Sequence, residues 1–285
     1  MNIDLTCVEC IINQAKRVGE TLHVKEETAQ KLLLTAKEKS KSFDFKKTPP
    51  EVATPLYQDM AKILDKEDIY DEIKKLSTKK ALSFIPLLEQ KLQNSEDKFL
   101  TSLKIAVAGN VIDLASEVMF DLEKELDKIF EHKFDIDDSL KLKELLTNAI
   151  NVVVLGDNVG EHVFDKLFIK TLQELYPKIS FYYFVRGEPI INDVTIKEAK
   201  EISFEDTCKV IDTKVPTPGF VYNMASKEAQ ELFDSCDVVI SKGMGNYECL
   251  TPSHKSPIAF LLKVKCSVVG TSLGKNVGDI VCKIL

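Results

Sequence analysis

The stretch Asn151-Val-Val-Val-Leu-Gly-Asp157-Asn158-Val-Gly160 marks the point at which the pattern of the chain changes. A run of apolar, mostly β-branched residues ends at Gly156, two oxygen-bearing side chains follow, and an amphipathic run begins at Glu161. This order predicts a buried strand, a turn and a helix. Because ligands bind beyond the carboxyl ends of the strands in open α/β sheets, Asp157 and Asn158 are expected at such a crevice.

Downstream of this stretch, short β-rich runs alternate with helical stretches. Strands are predicted at residues 151–155, 180–185, 209–212, 238–241, 267–270 and 280–284. Helices are predicted between them at residues 161–175, 195–201, 226–235 and 257–263. Strands that alternate with helices indicate parallel βαβ units with right-handed crossovers.

Upstream of the stretch, the sequence has helical periodicity and no convincing strand. Pro86 is expected to interrupt one of these helices, and Gly109-Asn110 is expected to end another. We therefore predict an α/β protein in which residues 149–285 form a Rossmann-like, doubly wound and mostly parallel sheet. Residues 1–148 are predicted to form an all-helical N-terminal region.

The composition is ordinary for a soluble globular protein, with 285 residues, 44% hydrophobic and 29% charged. A net charge of -7 argues against a nucleic-acid-binding surface. No apolar run approaches the roughly 20 residues of a membrane span, and the first residues lack the build of a signal peptide. Seven scattered cysteines argue against a disulfide framework. A cytoplasmic protein without nucleic-acid or membrane partners is expected, and its oligomeric state is left open.

Polar clusters follow three of the predicted strands, at residues 156–161, 186–195 and 241–248. Parallel strands would bring these clusters to one edge of the sheet. Asp157, Asn158 and Asp193 supply oxygen donors of the kind that Mg²⁺ and Mn²⁺ prefer. Taken singly, each of these residues is also explained as an Asx turn or a helix N-cap.

An anion site is indicated beside these donors. Lys242 adds a positive charge, and Gly243 and Gly245 allow backbone N–H groups to turn towards an anion. Arg186 is a candidate clamp for a second anionic group. Oxygen donors for a metal beside an anion site indicate metal-assisted phosphoryl chemistry.

Two further motifs have simpler explanations. Cys7-Val-Glu-Cys10 is a lone Cys-x-x-Cys on a predicted helix, and a metal or redox role would require another thiol such as Cys266 to fold nearby. Asn110 and Asp113 lie where a helix is expected to stop. They are also placed to project into a cleft between the helical region and the sheet.

Taken together, the motifs resemble the metal-dependent damage-control phosphatases, also called acidic-residue-methyltransferase-like proteins, in their compact archaeal and bacterial branch. The order and spacing of the motifs match this family nearly end to end. The matching segments are Cys7-x-x-Cys10, Thr48-Pro-Pro, Ala106-Val-Ala-Gly-Asn110-Val-Ile-Asp113, residues 156–165, Asn192-Asp193-Val-Thr195, residues 241–248 and residues 261–266. This chain carries Met244 where the family frequently has a polar residue.

The resemblance implies a helical part packed on a Rossmann-like domain, with the site between them. It implies a divalent metal (Mg, Mn, Ni or Co) held by Asp157, Asn158 and Asp193. Phosphate would be bound by Lys242 and the neighbouring backbone at Gly243, Gly245 and Asn246. The substrate side would be shaped by Asn110, Asp113, Glu161 and Arg186.

The predicted function is therefore metal-dependent hydrolysis of phosphomonoesters of small metabolites, such as sugar phosphates or damaged phosphorylated metabolites. Asp157 is the predicted catalytic residue, either as a metal ligand alone or also as the nucleophile. One alternative is an S-adenosylmethionine-dependent carboxyl methyltransferase. It is ranked lower because Asp157 and Asn158 stand where that cofactor needs a glycine-rich turn. Another alternative is a non-catalytic metal- or metabolite-binding protein, redox-sensitive through Cys7 and Cys10.

Overall fold

A computed structural model describes residues 1–111, 122–250 and 256–285 of the chain. Asp113 lies outside the described residues, so its predicted role at the substrate side stays a prediction. The helices are α1 (Leu5–Thr21), α2 (Glu26–Ser40), α3 (Pro49–Leu64), α4 (Asp71–Gln93), α5 (Lys98–Val111), α6 (Leu122–Glu131), α7 (Ser139–Asn148), α8 (Glu161–Leu175), α9 (Ile196–Glu201), α10 (Lys227–Ser235), α11 (Gly243–Cys249) and α12 (Ser267–Leu273). The strands are β1 (Ile136–Asp137), β2 (Asn151–Leu155), β3 (Ser180–Val185), β4 (Lys209–Asp212), β5 (Val238–Lys242), β6 (Ile258–Lys263) and β7 (Ile280–Ile284).

The strands form one sheet in the order β1-β7-β6-β5-β2-β3-β4. Every neighbouring pair is parallel except β6 and β7. From β2 the chain winds outward through β3 to β4, and it then returns to the other side of β2 as β5. The winding direction therefore reverses between β2 and β5, as in a doubly wound fold. The predicted fold class is confirmed.

The central strand β2 is buried on both faces, as expected for a strand in a parallel sheet covered by helices. Val152 and Val154 pack with apolar residues of α5, α7 and α8. Val153 and Leu155 pack on the opposite face with residues of α10, α11 and α12. This double burial explains why the run that precedes Gly156 is apolar at every position after Asn151.

The first three helices have an apolar core of their own, which includes Ile11, Leu32 and Met60. Ile190, from the loop after β3, joins that core. Helix α3 begins with a capping box in which Thr48 and Glu51 satisfy each other's backbone N–H groups. It packs against α11, which follows β5. The N-terminal helices therefore cover the carboxyl edge of the sheet, where the polar loops lie.

Two predicted elements near the C-terminus are wrong. Residues 257–263 are predicted to be helical, but Ile258–Lys263 is strand β6, paired with β5 and β7. Its apolar run is buried on both faces, and such a run has no period that separates strand from helix. Residues 267–270 are predicted to be a strand, but Ser267–Leu273 is helix α12. The side chain of Cys266 caps this helix by accepting a hydrogen bond from Val269 N. The β-branched residues Val268 and Val269 favour a strand in sequence and give no sign of this cap.

Three smaller differences occur in the N-terminal half. Helix α4 continues through Pro86 instead of being interrupted there. Helix α5 extends past Gly109-Asn110 to Val111. The short strand β1, at Ile136–Asp137, pairs with β7, although no strand is predicted before residue 149. The division into two domains at that residue stays a prediction. Within the described ranges, no helix has the length and apolar character needed to cross a membrane.

Candidate active site

The loops that follow β2 and β3 are joined by their backbones at the switch point of the sheet. Val194 N donates to Asp157 O at 2.9 Å, and Val159 N donates to Asn192 O at 2.7 Å. Asn158 and Asp193 face each other in an isolated antiparallel bridge. The fold therefore places the three predicted metal ligands side by side, although Asp193 belongs to a different loop from the other two.

These three residues lie at the wall of a cavity of about 410 Å³. Asp157 and Asp193 are buried, with only 7% and 3% of their surface exposed. Asn158 Nδ2 donates to Asp157 Oδ2 at 2.9 Å and to Glu161 Oε1 at 2.8 Å. Because both amide hydrogens are used in this way, Asn158 Oδ1 is the atom left to act as a ligand.

Asn110 brings the helical region into the same network. Its Nδ2 donates to Asp157 Oδ2 at 3.1 Å and to Glu161 Oε1 at 3.0 Å, and its Oδ1 accepts from Lys263 N at 3.2 Å. The close approach of α5 to α8 depends on Gly109, since a Cβ there would lie 2.9 Å from the Cα of Glu161. Gly109-Asn110 is thus a packing point beside the site and not the end of the helix.

Arg186 bridges the two buried aspartates. Its Nε donates to Asp193 Oδ2 at 2.7 Å, and its Nη2 lies 3.9 Å from Asp157 Oδ1. The same Nη2 donates to Asn246 Oδ1 at 3.1 Å. Asn246 also accepts from Phe220 N and donates to the carbonyls of Gly156 and Lys242. The side chain of Asn246 therefore holds together the segments that carry Gly156, Arg186, Phe220 and Lys242. The predicted contact of Asn246 with phosphate stays a prediction, and it would have to be made by the backbone.

Lys242 is completely buried beneath the cavity. Its Nζ donates to Asp165 Oδ1 at 2.6 Å and lies 3.6 Å from Glu161 Oε2. Tyr183 Oη donates to the other Asp165 oxygen at 2.9 Å. The ammonium group is therefore held by carboxylates of α8, and contact with a phosphate stays a prediction.

The buried cluster carries more negative than positive charge. Among the described residues its carboxylates are those of Asp157, Glu161, Asp165 and Asp193, and its cations are those of Arg186 and Lys242. By formal charge, the four carboxylates therefore outnumber these two cations by two. Burial and then the neighbouring carboxylates raise the pKa of the Asp157 carboxyl well above its ordinary value. Burial also raises the pKa of the Asp193 carboxyl, against the effect of Arg186.

The excess charge and the donor set fit a divalent cation. Such a cation would neutralise both charges and would be bound by carboxylate and amide oxygens, which suit Mg²⁺ and similar hard ions. In the described part of the chain, no group of three or more His, Cys, Asp or Glu side chains is placed so that it could hold a metal ion. The set here instead includes an amide, and Mg²⁺ commonly keeps waters and substrate oxygens as its other ligands.

Gly243, the first residue of α11, allows the turn from β5 into α11 to pass directly over Asp157. Its φ is +76°, and a Cβ at this position would overlap Asp157 Oδ2. Gly245 is similarly close to the carbonyl of Pro218, so a side chain is excluded there too. The two glycines therefore allow the backbone to approach the site closely, as the predicted anion site requires. Binding of phosphate there stays a prediction.

Replacing Gly243 with alanine is expected to abolish most of the activity of the site, because the new methyl group displaces the Asp157 carboxylate. Gly274→Ala is a matched control. Gly274 also has a positive φ, of +66°, but a Cβ placed on it would have no neighbouring atom within 4 Å. Both variants should lose about 1–2 kcal/mol of unfolding free energy from backbone strain. Urea unfolding and steady-state kinetics check this, and equal activity in the two variants would contradict it.

The outer wall of the cavity comes from α1 and from the segment that enters α12. Cys7, Cys10 and Arg17 line it from α1, and Lys265 and Cys266 line it from the segment that enters α12. Burial raises the pKa of the Cys7 and Cys10 thiols. The sequence predicts two half-buried cysteines on this helix. In the structure Cys7 is buried and Cys10 is exposed, and both line the cavity. Arg17 and Lys265 had no local signal, because only the fold brings them to the cavity.

Comparison with known proteins shows the family of this chain. A family model described as the damage-control phosphatase ARMT1-like domain matches residues 3–281. The chain belongs to this family. A protein named damage-control phosphatase PH1575, from Pyrococcus horikoshii, is 33% identical over 286 aligned residues, which cover 99% of this chain and 98% of that protein. A protein named damage-control phosphatase from Archaeoglobus fulgidus is 32% identical over 239 residues, covering 82% of each chain.

A solved structure supports the membership in the ARMT1-like damage-control phosphatase family. The crystal structure of PH1575 from Pyrococcus horikoshii, described as a DUF89 family protein, matches this chain with a TM-score of 0.90 at 32% identity. The match covers 99% of this chain and 98% of the other. The resemblance stated from the sequence motifs is therefore confirmed at the level of family and fold.

Proposed function

We propose that this protein is a metal-dependent phosphatase that hydrolyses phosphomonoesters of small phosphorylated metabolites. The observation that carries the proposal is the excess of two negative charges in a buried cluster that opens into a cavity. The names of the relatives in Pyrococcus horikoshii and Archaeoglobus fulgidus support the phosphatase class. The cavity volume of about 410 Å³ falls within the range of small-molecule sites.

In this proposal, Asp157, Asn158 and Asp193 hold the divalent ion. When bound, the ion supplies charge neutralisation and polarisation of the phosphoryl group. The buried setting strengthens every electrostatic interaction in the site, since little water screens it. Burial also explains why the ligands need so many partners. Asn110 and Asn158 donate to Asp157, and Arg186 donates to Asp193, so each carboxylate is held in one orientation.

The phosphoryl group would be bound on the open side of Asp157. The backbone at Gly243 lies against the Asp157 carboxylate, and Gly245 and Lys265 line the same cavity. Lys265 N donates to Met244 Sδ at 3.1 Å, and Met244 is the neighbour of Gly243, so Lys265 is held at the Asp157 end of the cavity. We therefore assign Lys265 to the phosphate together with the turn from β5 into α11. Lys242 would act from beneath by holding Asp165 and Glu161 in place.

The test is release of p-nitrophenol from p-nitrophenyl phosphate by protein stripped of metal with EDTA. Addition of Mg²⁺, Mn²⁺, Ni²⁺ or Co²⁺ one at a time should restore hydrolysis, and the ratio of rates identifies the preferred ion. Cys7→Ser and Cys10→Ser should leave the metal requirement unchanged, because no thiol belongs to the proposed ligand set. Equal hydrolysis with and without metal, or none with any metal, would rule out the proposal.

We also propose a cytoplasmic location. All seven cysteines are free thiols, although Cys7, Cys10 and Cys266 line one cavity. Reducing compartments keep thiols in that form.

A further inference from the structure

We infer that the preferred substrate carries a second anionic group, a carboxylate or a second phosphate, and that Arg17 binds it at the α1 wall of the cavity. The inference rests on the proposed function, since it assumes that the first anionic group is the phosphoryl group at Asp157. It adds a substrate class, namely small phosphomonoesters with an acid group at a distance from the ester.

The cavity is long enough for more than a phosphoryl group. One face of α1 runs along it, with Thr6, Cys10, Gln14 and Arg17 at helical spacing. From Thr6 to Arg17 this face extends about 16 Å, given the rise of about 1.5 Å per residue in an α-helix. A phosphoryl group alone occupies only a fraction of that length. The cavity therefore has room for a carbon skeleton that leads away from Asp157.

The cations beneath the cavity are already paired. Lys242 donates to Asp165, and Arg186 donates to Asp193 and to Asn246. Both side chains are at most 1% exposed. Their charges balance internal carboxylates, so neither is left to recognise an anionic group on the far part of a substrate.

The wall of the cavity carries two other cations. Arg17 and Lys265 are both exposed and both line the cavity. Neither forms a salt bridge with any residue in the described ranges, whereas Lys16, the neighbour of Arg17, lies 3.6 Å from Glu20. Two cations without a salt-bridge partner on the wall of a cavity, in a protein of net charge -7, indicate an anionic ligand.

Arg17 and Lys265 line the cavity from different elements. Lys265 N donates to Met244 Sδ at 3.1 Å, and Met244 follows Gly243, which lies against Asp157 at the phosphoryl end. Arg17 lies in the C-terminal half of α1, which packs against α2 and α3. One phosphoryl group bound at Asp157 and Lys265 would leave Arg17 for another anion.

The rest of the cavity lining suits a short carbon skeleton. Ile11, Ile191 and Val268 contribute apolar area to the cavity, and Gln14 offers an amide for hydroxyl groups. An arginine at the far end matches a carboxylate or phosphate through two parallel N–H donors. Both of these anions have the required chemistry, so the experiment compares them directly.

The experiment measures kcat and KM for matched substrate pairs with the metal-loaded protein. Sorbitol 6-phosphate is compared with 6-phosphogluconate, and fructose 6-phosphate with fructose 1,6-bisphosphate. The shorter pair of glycerol 3-phosphate and 3-phosphoglycerate tests the reach to Arg17. In at least one pair, we expect the doubly anionic substrate to have a kcat/KM about tenfold higher or more than its partner, mainly because its KM is lower. A tenfold change is the effect of about one charge-assisted interaction.

Arg17→Gln should remove this preference and leave the singly anionic substrates within about twofold of wild type. Lys16→Gln is the matched control, because it removes a neighbouring exposed charge of α1 that does not line the cavity, and it should behave like wild type. A wild-type protein without preference in any pair would overturn the inference, and so would a preference that survives Arg17→Gln. If singly anionic substrates are hydrolysed in either case, the proposed function stands. If no substrate of any pair is hydrolysed with any metal, the proposed function fails and the inference fails with it.

Discussion

Asp157→Asn is expected to lower kcat for phosphomonoester hydrolysis by on the order of 1,000-fold or more, because it removes the carboxylate on which the proposed metal site and the chemistry both depend. The substitution keeps the size of the side chain, and Asn110 and Asn158 can still donate to the remaining oxygen. The fold should therefore survive. Steady-state kinetics across a range of metal concentrations would separate a loss of kcat from weakened metal binding.

The same substitution should make the metal-free protein more stable. Burial and the neighbouring carboxylates raise the pKa of Asp157. The carboxyl therefore lowers the stability of the folded state as the pH rises above the ordinary carboxyl pKa, and the full cost is reached above the raised pKa. An asparagine removes that cost. We expect the melting temperature of the EDTA-treated variant to exceed that of the EDTA-treated wild type, and the stabilisation by added Mg²⁺ or Mn²⁺ to be much smaller than in wild type.

Asp212→Asn is a matched control for this prediction. Asp212 also ends a strand of the same sheet, but its carboxylate pairs with the exposed Lys214 at 2.6 Å. This variant should keep wild-type activity and a wild-type response to metal. Full activity in Asp157→Asn, or an equal loss in both variants, would show that the carboxylate at the switch point is not the catalytic one.

Asp165→Asn is expected to reduce the free energy of unfolding by about 3–5 kcal/mol, because it leaves the Lys242 ammonium buried without its principal partner. Both groups are completely buried, and their nitrogen and oxygen are 2.6 Å apart. Glu161 Oε2, at 3.6 Å, compensates only in part. Urea unfolding of the metal-free protein measures the loss.

Two further variants sharpen this second prediction. Glu228→Gln removes one partner of the exposed pair of Lys209 and Glu228, and it should cost no more than about 1 kcal/mol. The double variant Asp165→Asn with Lys242→Met should recover part of the stability lost in Asp165→Asn, since no unpaired charge is then buried. A cost in Asp165→Asn as small as that in Glu228→Gln would mean that the buried pair does not hold the cluster together.

The local pattern around β2 was enough to predict the fold class and the position of the polar residues in it. A strand buried on both faces must be apolar throughout, and the polar residues that follow Gly156 must then lie at the sheet edge. The same reasoning failed at residues 258–263, because an apolar run of that length is compatible with either a strand or a helix. It also failed at Val268 and Val269, which are β-branched but lie in a helix capped by a cysteine.

The partners of the site residues could not be predicted from local sequence. Lys242 and Asp165 are 77 residues apart, and Asn110 is 47 residues from Asp157. Each pair is brought together by the winding of the sheet or by the packing of α5 on α8. Sequence therefore indicated the residue types in the polar cluster, but it did not reveal that Lys242 pairs with Asp165 or that Arg17 and Lys265 line the cavity. Those assignments depend on long-range packing.

The central claim is that Asp157, Asn158 and Asp193 hold a divalent ion at the carboxyl edge of the sheet. The most direct test is anomalous scattering from crystals of this protein soaked in Mn²⁺. We predict a peak within about 2.0–2.6 Å of carboxylate oxygens of Asp157 and Asp193 and of Asn158 Oδ1. A peak at the thiols of Cys7 and Cys10 with none at the aspartates, or no peak in the cavity at saturating Mn²⁺, would contradict it.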